Sequence, residues 1–287
     1  MINNRYKNLL FLIPLILFFI IFIFYPFFQI IKLSFFKETL SGDQYFVGLR
    51  NYYRVFHLGD FHILFFNTLL WTVGATVLKV GSGLIVALLL YREFKFKGLV
   101  MMIVMVPWAI PYSVSHIIWR WIFNSLYGHL NSLLMKLYII QLPLDWLANP
   151  KFSLWGVIIA NSWTAMPFCA FSILAGLYSI PKDIYEAASI DGTNSLQKFR
   201  YITLPMIKPV IVLVTTLVTI WTFNNFGAIW LMTGGGPMKS STTFAIAIYL
   251  NTFQYGNPDY AAALSVISAL FLLFLASYYV YYSRREI

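Results

Sequence analysis

The segment EAASIDGTNSLQKF, residues 186–199, is a short polar stretch in a chain that is otherwise rich in apolar residues. Apolar runs of membrane-spanning length lie on both sides of it, at about 154–178 and 207–231. Gly192 follows Ile190 and Asp191 in the position where a glycine with a left-handed backbone conformation commonly ends a helix. The segment therefore predicts a folded element outside the membrane, held between two spans.

The composition favours a lipid bilayer as the surroundings of most of the chain. Of the 287 residues, 60% are hydrophobic and 10% are charged, whereas a soluble domain is about half apolar and about a quarter charged. A bilayer core of about 30 Å needs about 20 apolar residues of helix, and lipid requires every backbone group to be paired. We predict an all-α integral membrane protein in one transmembrane domain, residues 1–287. Its six transmembrane helices are expected at about 9–33, 64–90, 99–123, 154–178, 207–231 and 260–282.

The positions of Lys and Arg predict the orientation in the membrane. One set of short inter-span segments is denser in positive charge than the other set, which favours the cytoplasm for the denser one. Both termini and the polar loop 179–206 belong to this set, so we expect them in the cytoplasm. The same pattern explains the net charge of +10, so no binding of nucleic acid is needed to account for it. The dense set contains Arg5, Lys7, Arg92, Lys95, Lys97, Lys182, Lys198, Arg200, Lys208, Arg284 and Arg285.

Residues 182–191 predict a helix of two or three turns, and a second short helix is expected at about 195–203. Ser179 is expected to cap the first helix, and Pro181 suits its first position. An isolated helix this short is marginal in water, so it needs a partner surface. A helix lying on lipid headgroups is typically rich in Lys and Arg, whereas this one carries acidic residues. We therefore favour a docking element for another protein over a membrane-surface helix.

The 24 residues EAASIDGTNSLQKFRYITLPMIKP, 186–209, resemble the EAA loop of binding-protein-dependent ABC permeases. Leu196 departs from that pattern, since many relatives carry Trp there. FVGLRNYYRVF, NTLLWT, VPWAIP, NSWTAMPF and FNNFGAIWLMTGGGP are similar to segments of the maltose-type carbohydrate uptake subfamily. The last of these resembles the first of the two paired permeases in that subfamily. The loop positions that match are Glu186, Ala187, Ala188, Asp191, Gly192, Phe199, Ile202, Leu204, Pro205 and Pro209.

The resemblance implies a sugar importer of a prokaryotic inner membrane that works by alternating access. Its partners would be a second, homologous permease, two ATP-binding cassette ATPases that use ATP and Mg, and an extracellular solute-binding protein. This chain would bind no cofactor and catalyse no reaction, and it has no Walker-type phosphate loop. The residues expected to contact the ATPase are Tyr185, Glu186, Ala187, Ala188, Asp191 and Gly192.

A carbohydrate site needs flat apolar faces and polar groups for the hydroxyls. On the fifth span, Val218, Trp221, Thr222 and Asn225 fall at helical spacings of three and four, which predicts one face. The family pattern indicates the same face, and the alternative is that Asn and Thr join helices to one another. The substrate-binding residues predicted with the resemblance are Tyr112, Thr164, Ala165, Phe168, Val218, Trp221, Thr222 and Asn225.

Lys79 lies near the middle of the second span, where a charge is costly and by default indicates function. The sequence leaves open whether it serves transport or only pairs with a neighbouring group. An importer of glycerol 3-phosphate stays an alternative, because an anion would favour a cationic cavity. An ion-coupled secondary carrier is less favoured, since no Asp or Glu lies within the six runs. The four His residues lack metal-ligand spacing, so no metal site is expected.

Overall fold

The structure is a computed structural model that describes residues 11–39 and 43–284. Some sequence predictions concern other parts of the chain. Arg5, Lys7, the first two residues of the predicted span 9–33, Arg285 and the side chain of Arg284 lie outside the described residues.

The described chain forms two compact units. One comprises the described residues up to Phe61 together with Ala247–Phe271, and the other comprises His62–Ile246 with the described residues from Leu272. The single transmembrane domain over residues 1–287 stays a prediction. In chain order the elements are α1 (Ile13–Ser34), β1 (Phe36–Glu38), β2 (Gln44–Phe46), α2 (Arg50–Tyr53), α3 (Phe61–Tyr91), α4 (Lys97–Ala109), α5 (Tyr112–Ile122), α6 (His129–Lys136), α7 (Ser153–Tyr178), α8 (Lys182–Ile190), α9 (Ser195–Lys198), α10 (Leu204–Phe223), α11 (Gly227–Met232), α12 (Phe244–Tyr249) and α13 (Pro258–Arg284).

The predicted helical membrane class is confirmed. Among the described residues, five helices are long and apolar enough to cross a membrane, and a sixth span results if α4 and α5 are counted as one. None of the 18-residue apolar window of α1 is buried in the protein. Large exposed apolar surfaces are unfavourable in water, so α1 is expected to contact lipid along its length.

The third predicted span, 99–123, is not one straight helix. It consists of α4 and α5, which meet at an angle of 94°. The bend follows from Pro111, because the residue before a proline is disfavoured in the helical conformation. Ile110 is accordingly extended, with ψ at 134°. The prediction of an uninterrupted run was wrong at this point.

The fifth predicted span, 207–231, is also divided. Helix α10 ends at Phe223, and α11 starts only at Gly227. The start differs as well, because α9 continues through a π-helical turn, Phe199–Thr203, directly into α10. Pro205 lies at the first positions of α10, where the missing N–H of proline is tolerated. The second short helix therefore does not end at about 203 as predicted, but continues through Pro205 into α10.

Most polar residues of α3 face the inside of the protein, and many of its aliphatic residues face outward. Thr68, Thr72 and Lys79 are buried, whereas Val77 and Ile85 are exposed. This distribution is the reverse of a soluble amphipathic helix, and it is favourable where lipid surrounds the protein. The polar face packs against α7 and α10, and Trp71 donates a 2.7 Å hydrogen bond to the Thr222 carbonyl near the end of α10.

Helix α7 forms the centre of the second unit, with 61% of its apolar window buried. It approaches α3 most closely at Gly83. A Cβ atom at Gly83 would lie 2.5 Å from Cβ of Cys169 and 3.0 Å from the backbone nitrogen of Ala170. Small residues permit such close packing of membrane helices. Two residues earlier, on a different side of α3, Gly81 has no atom within 4 Å of its virtual Cβ.

These two glycines give a matched pair of variants. Gly83→Ala is expected to destabilise the protein by about 1–3 kcal/mol, because the added methyl overlaps backbone and Cβ atoms of α7. Gly81→Ala is expected to be neutral or stabilising by up to about 1 kcal/mol, since alanine favours the helix and meets no atom. Thermal unfolding of the detergent-solubilised protein measures both. Equal melting temperatures for the two variants would contradict the close packing.

The first unit contains a short antiparallel pair, β1 and β2, which the sequence did not predict. Phe36 is paired with Phe46, and their rings lie 5.5 Å apart. In the same unit Arg54 forms a 2.9 Å ion pair with Asp259. The Asp259 carboxylate lies in the first turn of α13, where the helix dipole favours a negative charge.

Candidate functional site

The first candidate site is helix α8 with the turn that ends it. The predicted left-handed stop is present, since Gly192 has a φ of +74°. Its N–H donates to the Ser189 carbonyl, and the N–H of Thr193 donates to the Ala188 carbonyl, both at 3.1 Å. These two bonds form a Schellman motif, which pairs carbonyls that the helix end would leave free. The segment is therefore a helix with a fixed end.

The start of α8 differs from the sequence prediction. Ser179 does not cap α8; it ends α7, where its hydroxyl donates a 2.7 Å bond to the Gly176 carbonyl. Pro181 occupies the capping position, not the first helical position. The short hydroxyl side chain of Ser179 bonds its own preceding turn, which competes with capping the following helix.

The second short helix begins with a capping box. Asn194 accepts a 2.9 Å bond from the Gln197 backbone, and the Gln197 side chain accepts a 2.8 Å bond from the Asn194 backbone. The sequence carries this signal, an Asn followed three residues later by Gln. The box orders residues 194–197 and fixes where the chain leaves α8. We had not identified it from the sequence.

Helix α8 has an inner and an outer face. Tyr185 packs on a buried apolar cluster of the second unit that includes Ile173, Leu177 and Ile207. Its hydroxyl lies 2.8 Å from the hydroxyl of Thr203, and Ala188 is buried beside it. The residues predicted to contact the ATPase therefore lie on both faces of α8, and Tyr185 and Ala188 face the protein itself. Glu186, Ala187, Asp191 and Gly192 are exposed, as is the apolar Ile190.

The bond between Tyr185 and Thr203 joins α8 to the helix that continues into α10. Tyr185→Phe is expected to remove about 0.5–1.5 kcal/mol of local stability, the net value of one hydrogen bond. Amide exchange along α8 should then rise about 2- to 10-fold. Tyr201→Phe is the matched control, since Tyr201 is exposed. Unchanged exchange in Tyr185→Phe would show that the hydroxyl bond does not hold α8.

The second candidate site is a cavity of about 420 Å³ within the second unit. The bend between α4 and α5, the middle of α7 and the end of α10 form its walls. A volume of this size is in the range of small-molecule sites. Its lining residues are Lys79, Pro107, Trp108, Ala109, Ile110, Pro111, Tyr112, Asn161, Thr164, Ala165, Phe168, Val218, Trp221 and Asn225.

An aromatic pair forms one part of the cavity wall. The rings of Phe168 on α7 and Trp221 on α10 lie 5.0 Å apart and are tilted by 54°. The indole of Trp221 is 53% exposed. Exposed aromatic faces of this kind bind the C–H surfaces of ligands as well as other apolar groups.

A chain of hydrogen bonds forms another part of the wall. The Tyr112 hydroxyl donates a 2.7 Å bond to Asn225 Oδ1 and accepts a 3.3 Å bond from Asn161 Nδ2. Asn225 Oδ1 also accepts the backbone N–H of Ala228, which fixes the break between α10 and α11. The buried Oδ1 of Asn161 has no partner within the described protein. Buried polar atoms are normally paired, so this buried oxygen is an exception among the polar groups near the cavity.

Seven of the eight residues predicted to bind substrate line this cavity, and Thr222 does not. Thr222 is fully buried and directed at α3, where its hydroxyl accepts a 2.7 Å bond from the Lys79 ammonium. Thr222 lies only about 40° around the helix from Val218, but its side chain is bonded to Lys79 on α3 and is not part of the cavity wall. Asn225 lines the cavity although α10 ends before it. It lies in the break between α10 and α11, which helical spacing alone did not predict.

Seven of the fourteen lining residues were not among the residues predicted to bind substrate, and Trp108 and Lys79 are two of them. Trp108 lies within the predicted span 99–123 and was not among the predicted substrate-binding residues. The bend at Pro111 turns the chain, so that Trp108 lines the cavity. Lys79 was recognised as unusual but was not placed in the site; the signal was its charge in the middle of an apolar run.

Comparison with known proteins supports a relationship over the whole chain. Residues 79–286 match the family described as binding-protein-dependent transport system inner membrane component. The trehalose/maltose transport system permease protein MalF of Thermococcus litoralis is 33% identical over 96% of this chain and 92% of its own length. The sulfoquinovosyl glycerol transport system permease protein SmoG of Agrobacterium fabrum is 32% identical over 93% of this chain and 86% of its own length.

Among solved structures, a chain of a bacterial ABC transporter involved in the import of the acidic polysaccharide alginate superposes with a TM-score of 0.83. The match covers 98% of this chain and 96% of the other, at 23% identity. At that identity the likeness shows a shared fold. The family match extends from the middle of α3 through both candidate sites. The chain therefore belongs to the family of binding-protein-dependent transport system inner membrane components, the membrane-embedded permeases of ABC transporters.

Proposed function

We propose that this chain is one of two pore-forming subunits of an ATP-driven importer that takes up a sugar or an oligosaccharide. The observation that carries the proposal is the wall of the cavity. It places the aromatic pair Phe168 and Trp221 in the same cavity as the hydrogen-bonded groups of Tyr112, Asn161 and Asn225. Ring faces and amide or hydroxyl groups are what a saccharide requires.

The names of the relatives support the same solute class. Those relatives are named as transport proteins for trehalose and maltose and for sulfoquinovosyl glycerol. The superposed structure is described as an importer of alginate. Each of these solutes is a saccharide or a glycoside, and the cavity residues of this chain fit that chemistry.

The energy for transport is proposed to enter through helix α8. Its outer face offers two carboxylates, Glu186 and Asp191, a small residue, Ala187, and the exposed apolar Ile190. This surface fits a cleft with basic and apolar residues on an ATPase subunit. Tyr185 and Ala188 on the inner face would pass the motion of that subunit to α10 and the cluster behind it.

The complete assembly is proposed to contain this chain, a second homologous permease, two ATPase subunits and an extracellular solute-binding protein. Closure of the ATPases around ATP and Mg would turn the cavity outward, and hydrolysis would return it inward. The solute must interact differently with the two states, because equal affinity for both shifts no equilibrium. The chain would lie in the inner membrane of a prokaryotic cell, with both termini and α8 in the cytoplasm.

Uptake by the reconstituted assembly tests this function. The assembly is placed in liposomes with ATP inside, and radiolabelled mono- and disaccharides are added outside with the binding protein. We expect uptake of at least one saccharide, and we expect this uptake to require ATP that can be hydrolysed. Uptake that is driven by a proton or sodium gradient without the ATPases would contradict the proposal and favour a secondary carrier.

A further inference from the structure

Lys79 is a buried cation with incomplete pairing. It lies near the middle of α3, and only 3% of its surface is exposed. Its ammonium group donates one hydrogen bond, to Thr222 Oγ1 at 2.7 Å. An ammonium carries three N–H donors. Within residues 11–39 and 43–284, no carboxylate lies within ion-pair distance of this group.

The energetics make this arrangement unfavourable in the absence of a further partner. A charge inside a membrane protein is costly and is normally paired with another charge or with several dipoles. The end of α10 compensates part of the cost, because Thr222 lies in its last turn and the C-terminal end of a helix is negative. That contribution is smaller than the cost of burying an ion.

The same ammonium lies in the wall of the cavity. Among the described lining residues, Lys79 is the one with a charged side chain, and none carries a carboxylate. The aromatic pair Phe168 and Trp221 lines the same space, as does Asn161 with its unpartnered Oδ1. The cavity thus combines an unmatched positive charge with ring faces.

We propose that the cavity takes a saccharide that carries an oxyanion, such as a carboxylate, sulfonate or phosphate, placed against the ammonium of Lys79. This inference rests on the proposed function and specifies its substrate class. The oxyanion accepts the free N–H groups of Lys79 in charge-assisted bonds. The sugar ring lies against Trp221 and Phe168.

A purely structural role is the competing explanation. The bond from Lys79 to Thr222 joins α3 to α10, and in this explanation the ammonium serves only to hold the two helices together. In that case its removal weakens the binding of every solute equally. If Lys79 instead binds the charge of the ligand, its removal changes the preference of the cavity for an acidic over a neutral sugar.

Equilibrium dialysis on the purified complex of permeases and ATPases, without the binding protein, measures this preference. The probes are radiolabelled cellobiouronic acid and its neutral counterpart cellobiose. We expect the acidic disaccharide to bind about 10- to 100-fold more tightly, the range for hydrogen bonds to charged groups. Lys79→Gln, which keeps a donor for Thr222, is expected to remove this preference. Lys79→Arg keeps the charge and is expected to retain most of it.

The outcomes separate the two levels of the proposal. Equal binding of both probes by the wild-type complex, or a parallel loss of both in Lys79→Gln, overturns the assignment of the oxyanion to Lys79. Binding of glycerol 3-phosphate as tightly as the acidic disaccharide overturns the saccharide part. If the neutral sugar is imported and the acidic one is not, the sugar importer stands and this inference fails. Absence of ATP-dependent uptake for the whole sugar panel overturns the importer itself.

Discussion

Gly192→Pro is expected to abolish solute uptake by the reconstituted importer while the protein still inserts into the membrane. Proline fixes φ near −65° and has no N–H, whereas Gly192 has a φ of +74° and donates to Ser189. An incompatible proline costs more than about 1 kcal/mol, and α8 is short enough to be marginal by itself. A loss of about 1.4 kcal/mol lowers the equilibrium constant for forming the helix end about tenfold.

The measurement is ATP-dependent uptake together with the ATPase rate in the presence of loaded binding protein. We expect uptake below about a tenth of the wild-type rate and no stimulation of hydrolysis. Gly192→Asn is the matched control, because asparagine tolerates the left-handed conformation and keeps its N–H. A fully stimulated ATPase in Gly192→Pro would contradict the role of α8 as the docking element.

Trp221→Ala is expected to weaken solute binding about 30-fold, which corresponds to about 2 kcal/mol for an aromatic residue at the centre of a contact. The substitution removes the exposed ring of the pair with Phe168 and leaves α10 otherwise intact. Equilibrium dialysis with the imported saccharide gives the affinity, and uptake at saturating solute separates binding from transport.

Trp155→Ala is the matched control for this variant. Trp155 lies on α7 and is 43% exposed, close to the 53% of Trp221, but it does not line the cavity. We expect its affinity to equal that of the wild type. An equal loss in both variants would indicate that the effect arises from general destabilisation and not from contact with the solute.

The sequence predicted the helical membrane class and the position of α8 because these features depend on local patterns. Runs of about 20 apolar residues specify membrane helices, and a glycine after Ile190 and Asp191 specifies the left-handed end. These signals involve residues that are neighbours in the chain. The capping box at Asn194 is of the same kind and was accessible to the same reasoning.

The cavity could be predicted only in part, because it depends on where helices break. Hydropathy shows α4 and α5 as one run and does not report the 94° bend between them. The bend brings Trp108 into the wall, which its position along the run did not indicate. Spacing along a helix shows which residues share a face but not which of them line a cavity, so Thr222 was wrongly placed in the cavity wall. Lys79 could not be assigned, since its partner Thr222 is 143 residues away.

A cysteine at position 187 tests the central claim most directly. The natural Cys169, the one cysteine of the chain, is first replaced by alanine, and Ala187→Cys is then introduced on the exposed face of α8. In membrane vesicles the account predicts that the new thiol reacts only with reagents on the cytoplasmic side. It also predicts that the thiol cross-links to an ATPase subunit and that ATP alters the extent of this cross-linking. A thiol that is labelled only from the exterior, or that never cross-links to a nucleotide-hydrolysing subunit, would contradict the account.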